Sequence, residues 1–413
     1  MFLNPAARRP YALAFAALFI LPGLFASQAH ADVKVQGRKG PAGLSFYNPP
    51  KKLIAGKPGS IVWQRELKGP QSASVRLPDA AKTVLVLYRS RDPQGKAGVI
   101  SGTVDIPKGN APAGGWRMIS WAHGTTGVAD LCAPSRNRVG GPAYDYIQYA
   151  SPVNNEWVKA GYAVLRTDYE GLGTPGPHRY LIGNSEGRSV VDIALAAREL
   201  FGKKNMSDQF SIGGHSQGGQ AALFAGSMAA KGAPGLKLKS VFAYAPASHL
   251  YEQRQAAATL DQSFSGLSGM AYMILDSAAR ESKTNIKAIV TPRAYGLRGS
   301  LNKGCMPVIN KSFGTIAPKE ILQPGANTAK PDTAMKAMNP AVKIPGPVLV
   351  LQGDADTTVF PFFTDQLMGE LEAKGTVATL DQFPGLTHGG VVTDPAVQAV
   401  VLDYIRSTLG PAQ

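Results

Sequence analysis

A chain of 413 residues with 44% apolar side chains can bury a substantial core, and its 46 glycines and 31 prolines point to many loops rather than disorder. The 43 Lys and Arg against 28 Asp and Glu give a formal charge of +15. No basic block with interleaved aromatics accompanies that charge, so it reads as a solvated surface and not as a nucleic-acid interface. Two cysteines and six histidines nowhere cluster at ligand spacing, which argues against a metal site.

Residues 1–31 have the pattern of a signal peptide. Arg8 and Arg9 supply a positive start, 11–25 an apolar run, and Ala29-His30-Ala31 a small-residue cleavage site. The apolar run is too short for a membrane span and is broken by Pro22-Gly23. The expectation is export, to a periplasm or outside the cell. In an exported protein the even pair Cys132 and Cys305 suggests a disulfide, two free buried thiols being the alternative.

After the leader, 32–43 is polar and 44–77 reads as an extended arm with little regular structure. Apolar or alternating runs at 83–88 and 98–107, separated by the turn RDPQGKA, predict an antiparallel pair, and 117–122 a further buried strand. From there helices and strands alternate. Helix-like runs at 155–161, 190–201, 362–374 and 391–409 are interleaved with strands at 162–168, 241–245, 348–352 and 377–380. That alternation implies a mainly parallel, doubly wound α/β sheet covered on both faces. Residues 249–342 break it with helical pieces and a Pro/Gly-punctuated, strand-poor tail. They are expected to form an inserted, mostly helical cap over the carboxyl ends of the strands, dividing the core into 32–248 and 343–413.

The stretch SIGGHSQGGQAALFAG at 211–226 carries the pattern G-x-S-x-G at Gly214-His215-Ser216-Gln217-Gly218. In a nucleophile elbow a strand turns sharply into a helix, and small flanking residues let the two approach. A second match, at Gly183 to Gly187, precedes a helix-like run, so its Ser185 is expected to be a helix N-cap. Ser216 is the candidate nucleophile. A serine needs a base and the base an orienting acid. His388, in the loop after the last strand, matches the chain order Ser…Asp…His, and Asp356 in GDADTTV is preferred to Asp354 as the acid. The N–H of Gln217, with that of Thr125 or Thr126 in His123-Gly124-Thr125-Thr126-Gly127, would form an oxyanion hole.

Taken together, LYRSRDPQGKAGVISGTVDIP, SWAHGTTG, CAPS, DYEGLGTPG, GHSQGG, LQGDADTTV and THGG, in this order, resemble the α/β-hydrolase fold and more narrowly the secretory lipase family, the group of the Candida lipase A. The resemblance implies that Ser216, Asp356 and His388 fall on the triad and that the cap covers an acyl-chain tunnel. It also puts Cys132 where the family often bridges to the cap. The function so implied is hydrolysis of small-molecule or lipid esters, with transient contact to a lipid interface and no metal or organic cofactor. An acyltransferase or a peptidase would share the same residues, and a non-catalytic binding protein would share the fold.

Overall fold

The computed structural model describes residues 33–411; the leader expected at 1–31 lies outside the described residues. Nine strands form one sheet: β1 (Ile61–Glu66), β2 (Ala80–Arg91), β3 (Ala97–Pro107), β4 (Trp116–Ala122), β5 (Ala163–Thr167), β6 (Met206–His215), β7 (Lys237–Tyr244), β8 (Val348–Gly353) and β9 (Ala378–Phe383). Their spatial order is β1-β2-β3-β5-β4-β6-β7-β8-β9. The β1–β2, β2–β3 and β3–β5 pairs are antiparallel, and every pair from β5 onward is parallel. This is the mainly parallel sheet that the alternating pattern implies, in the arrangement expected from the resemblance to the α/β-hydrolase fold.

The central strands read as unbroken apolar runs because helices cover both faces. All six residues of β8 are buried, as are the last five of β7. The β2–β3 hairpin is closed by Asp92, whose Oδ1 accepts from the N–H groups of Gln94 (3.0 Å) and Lys96 (2.8 Å).

The arm expected to lack regular structure contains β1. Its IVWQRE buries Ile61, Val62 and Trp63 and leaves Gln64, Arg65 and Glu66 half-exposed, so no clean two-residue alternation marks it. Pairing with β2 supplies what the local pattern lacks.

Ser185 is not an N-cap. The helix Gly183–Phe201 begins two residues earlier, and the Ser185 hydroxyl donates to Glu170 Oε2. The glycines around it serve helix packing. A Cβ at Gly183 would lie 2.1 Å from the Phe224 ring, and one at Gly187 2.8 Å from Ala225 N, so this helix sits hard against Gln217–Gly232.

Between β7 and β8 the chain is helical: Leu250–Ala257, Ser268–Glu281, Pro292–Leu297, Ser300–Lys303, Met306–Phe313 and Ala329–Ala337. The Pro/Gly-punctuated second half holds four short helices and, as expected of a strand-poor segment, no strand beyond one isolated bridge from Val290 to Leu322. These helices share an apolar cluster that includes Tyr272, Phe313 and Met335 and takes in Tyr180 to Ile182 from the preceding core. Cys132 and Cys305 form a disulfide 173 residues apart in sequence, which ties this segment to the loop after β4. No helix of the described residues is long and apolar enough to cross a membrane.

Closing a loop of that length restricts the unfolded chain by about 5 kcal/mol in the chain-entropy picture. Cys132→Ala/Cys305→Ala should therefore lower the urea midpoint clearly without changing the far-UV circular dichroism at low denaturant. An unchanged midpoint would mean that the bridge does not stabilise the fold.

Candidate active site

Ser216 lies between β6 and the helix Gln217–Gly232 with φ 59° and ψ −119°, a backbone conformation that costs a non-glycine residue about 1–3 kcal/mol. The surroundings hold it there. Its N–H donates to Tyr244 O (2.9 Å), and its carbonyl accepts from Gln220 N and Ala247 N (both 3.1 Å). Glycine is required on both sides. A Cβ at Gly214 would stand 2.0 Å from Gly218 O, and one at Gly218 would stand 1.9 Å from Ala122 O. The second contact presses the start of the elbow helix against the loop that follows β4. The Ser216 side chain therefore sits at the positive end of a 16-residue helix.

Asp356 and His388 are brought together at the carboxyl ends of β8 and β9. A Cβ at Gly353 would lie 2.1 Å from Leu386 O, so the loop after β9 packs directly on the end of β8. Ala355 N donates to Leu386 O at 3.1 Å. Across this contact His388 Nδ1–H donates to Asp356 Oδ2 at 2.7 Å, which leaves Nε2 as the free acceptor. Asp356 is 3% exposed. Its Oδ1 accepts from Thr358 N (2.7 Å) and Val359 N (2.9 Å), and Gln352 Nε2 lies 3.2 Å from Oδ2. Asp354 turns away and caps the next loop, accepting from Gly385 N at 2.6 Å.

His215, next to Ser216 in sequence, packs its ring 4.5 Å from that of His388. Its Nε2–H donates to His388 O (2.9 Å) and its Nδ1 accepts from Tyr149 OH (2.5 Å). Burial holds its pKa well below the usual value, so the ring is neutral and both nitrogens are used. Among the described residues the Ser216 hydroxyl forms no hydrogen bond. The Asp356–His388 pair is made and the Ser216–His388 bond is not, which is common in a site without substrate.

The loop 123–127 lies against the elbow. His123 O accepts from Tyr169 OH (2.8 Å), and Thr126 O accepts from Met306 N (3.0 Å) beside the disulfide. Thr125 Oγ1 meets Tyr180 OH at 2.8 Å. The N–H groups of Thr125, Thr126 and Gln217 have no acceptor among the described residues.

Behind Gln217 is a buried polar cluster that sequence reasoning did not find. Both hydrogens of its side-chain amide are used, one toward Glu186 Oε1 (2.7 Å) and one toward His178 Nε2 (3.1 Å). His178 Nδ1–H donates to Glu170 O at 3.0 Å, which fixes Nε2 as acceptor. Glu186 Oε1 also accepts from Leu181 N at 2.7 Å. Burial pushes the Glu186 carboxyl up to about 8 and the His178 imidazole down to about 4. His178 and Glu186 stand 3.7 Å apart, but burial favours the neutral form of each, so they are not an ion pair.

Ser216 and Gln217 open onto a cavity of about 180 Å³. Its walls are mostly apolar, with Leu250, Leu260, Met270 and Ile274 from the helical segment and Val359 and Phe363 from the chain after β8. A serine at a strained turn, an imidazole polarised by a carboxylate and an apolar cavity beside them can support acyl transfer.

Comparison with known proteins agrees with this chemistry. The chain resembles the solved structures of Candida antarctica lipase A (TM-score 0.69, 18% identity, covering 83% of this chain and 80% of that one) and of the rice cell wall degrading esterase LipA from Xanthomonas oryzae (TM-score 0.67, 18% identity, covering 85% and 99%). At that identity the likeness establishes the fold. A search of curated proteins finds no match. The family model for secretory lipases matches residues 146–375, more than half of the sequence. The chain therefore belongs to the secretory lipase family, whose members are carboxylic ester hydrolases.

Proposed function

We propose that this ester hydrolase works through Ser216 as nucleophile, His388 as general base and acid, and Asp356 as the group that orients His388. The observation that carries the reading is the 2.7 Å bond from His388 to a buried Asp356, at the same carboxyl-terminal end of the strands as the strained Ser216. The Ser216 hydroxyl attacks the ester carbonyl while His388 Nε2 takes its proton. The resulting oxyanion is held by the N–H of Gln217 and that of Thr125 or Thr126. His388 then protonates the departing alcohol, and water, deprotonated by the same imidazole, clears the acyl-enzyme. Residues 249–342 act as the cap and the 180 Å³ cavity receives the acyl chain. The leader pattern and the family's secretory character support export.

Ser216→Ala should lower kcat for p-nitrophenyl esters about a thousandfold or more while the melting temperature stays near that of the parent. Turnover retained in that variant would remove Ser216 from the mechanism. Fluorophosphonate labelling of the parent at Ser216 checks the same assignment without a substrate. No labelling would favour a non-catalytic binding protein.

The cavity of about 180 Å³ beside Ser216 has mostly apolar walls and suits short to medium acyl chains better than long ones. Rates across the series from acetate to palmitate should peak between butyrate and octanoate, and Met270→Trp should move the peak toward acetate. A peak at palmitate would mean that the cap opens or that the acyl chain binds elsewhere.

Glu186 acts on the site through Gln217. Because burial raises its folded pKa above the unfolded value near 4.5, the folded protein holds the extra proton and stability falls as pH rises toward about 8. Glu186→Gln keeps a hydrogen-bonding oxygen without titrating. Its stability relative to the parent should rise between pH 5 and 8, by at most ~1.4 kcal/mol per unit, with kcat largely kept. Glu186→Ala should lower kcat more than it raises KM. A pH-independent stability difference between Glu186→Gln and the parent would show that Glu186 is ionised when buried.

A further inference from the structure

On another part of the molecule a cleft of about 840 Å³ opens between the N-terminal arm, the end of β1, the loop that follows it and residues 135–139. Neither Ser216 nor the apolar cavity beside it belongs to its walls. Three arginines line it, Arg65, Arg136 and Arg138, and none is paired with a carboxylate among the described residues. Lys68 and Glu66 also line it, but they bond to each other at 3.2 Å. Behind the wall the buried Asp168 is taken up by Ser101 and Ser135.

The arginines are held in place rather than dispersed. The Arg65 guanidinium lies 5.1 Å above the Phe46 ring and that of Arg136 5.2 Å above Tyr47, and the two rings meet edge to face at 5.5 Å. Two cations are thus fixed on adjacent aromatic faces, where they repel each other. Two buried donors at the same cleft also lack acceptors: Arg65 Nη2 and Asn137 Nδ2, the latter on a residue only 7% exposed. An unpaired buried donor is unfavourable, and so is the repulsion between neighbouring cations, although the buried Asp168 lies within electrostatic reach of Arg136. One anion with several acceptor oxygens answers the charge, and a side-chain rotation at the wall would bring either buried donor to it.

We propose that this cleft is a binding site for an oxyanion, a phosphate or carboxylate group of a ligand separate from the ester substrate. Arg65 and Arg136 supply the fork-shaped donors, Asn137 a neutral donor at the wall, and Arg138 a charge at the rim. Such a site holds the protein to an anionic partner without entering the acyl cavity, and it makes specific use of part of the +15 charge.

Isothermal titration of the full-length protein with inorganic tripolyphosphate and, separately, with citrate at low ionic strength tests this. Saturable one-site binding of either is expected, tripolyphosphate alone identifying a phosphate site and citrate alone a carboxylate site. Arg65→Gln/Arg136→Gln should weaken it about tenfold or more. Lys203→Gln/Lys204→Gln, which removes the same charge at exposed positions outside the cleft, should leave it unchanged. Arg138→Gln, at an exposed position, gives a second reading if the double variant unfolds, and it too should weaken binding. Hydrolysis of p-nitrophenyl butyrate should be unaffected in all three, which separates this site from the esterase reading. Absence of saturable binding to both anions would overturn the proposal, as would an equal loss in the lysine variant, because either result reduces the cleft to general surface charge.

Discussion

The contact on which the site depends is the one between backbone atoms at Gly218 and Ala122. With no side chain at 218, the first turn of the elbow helix lies against the end of β4, and a single methyl there would overlap Ala122 O at 1.9 Å. Two consequences follow from that approach. Ser216 is held at a positive φ at the helix start, and the beginning of the loop 123–127 is brought against the first turn of that helix. The backbone strain at Ser216 is stored by this packing and by three main-chain bonds around it, so the geometry is preformed and does not wait for a ligand.

Around that contact each family motif has a mechanical task. Tyr169, from DYEGLG, holds the carbonyl of His123, while Asp168 in the same motif binds Ser101 and Ser135 and fixes the chain just after Cys132. Gln352, from LQGD, touches Asp356 and receives a bond from Thr364, so the acid is held from the strand below as well as by the turn above it. Gly353 lets the loop after β9 close on β8, which is what brings His388 within reach of Asp356. The disulfide and the bond from Met306 N to Thr126 O join the helical segment to the loop 123–127. Any movement of that segment is therefore coupled to the proposed oxyanion hole.

Two buried clusters flank the proposed nucleophile, and both are neutral. His215 supports His388 by ring contact and one hydrogen bond, while Glu186 and His178 take both donors of the Gln217 amide. Charge at either place would cost desolvation and would act directly on the developing oxyanion. Burial instead raises Glu186 and lowers His178 and His215, so none of the three places a charge beside Ser216.

The parallel sheet was legible in the sequence, and the members of the proposed triad could be nominated there, because local rules mark them. Apolar runs betray strands buried on both faces, GHSQGG and GDADTTV each sit at the end of such a run, and THGG lies in the loop after the last strand, so the order Ser216, Asp356, His388 could be read without coordinates. β1 was not legible, since its half-exposed outer residues carry no alternation and only pairing with β2 makes it a strand. Ser185 was misread for a related reason: local spacing suggested a cap, whereas Phe224, nearly forty residues away, explains Gly183, and Glu170 explains the serine. The partners of Gln217, the tilted ring contact of His215 with His388 and the arginines around one cleft had no signature at all. They join residues from separate elements, and it is chain folding, not spacing along the chain, that decides which polar groups share a buried site.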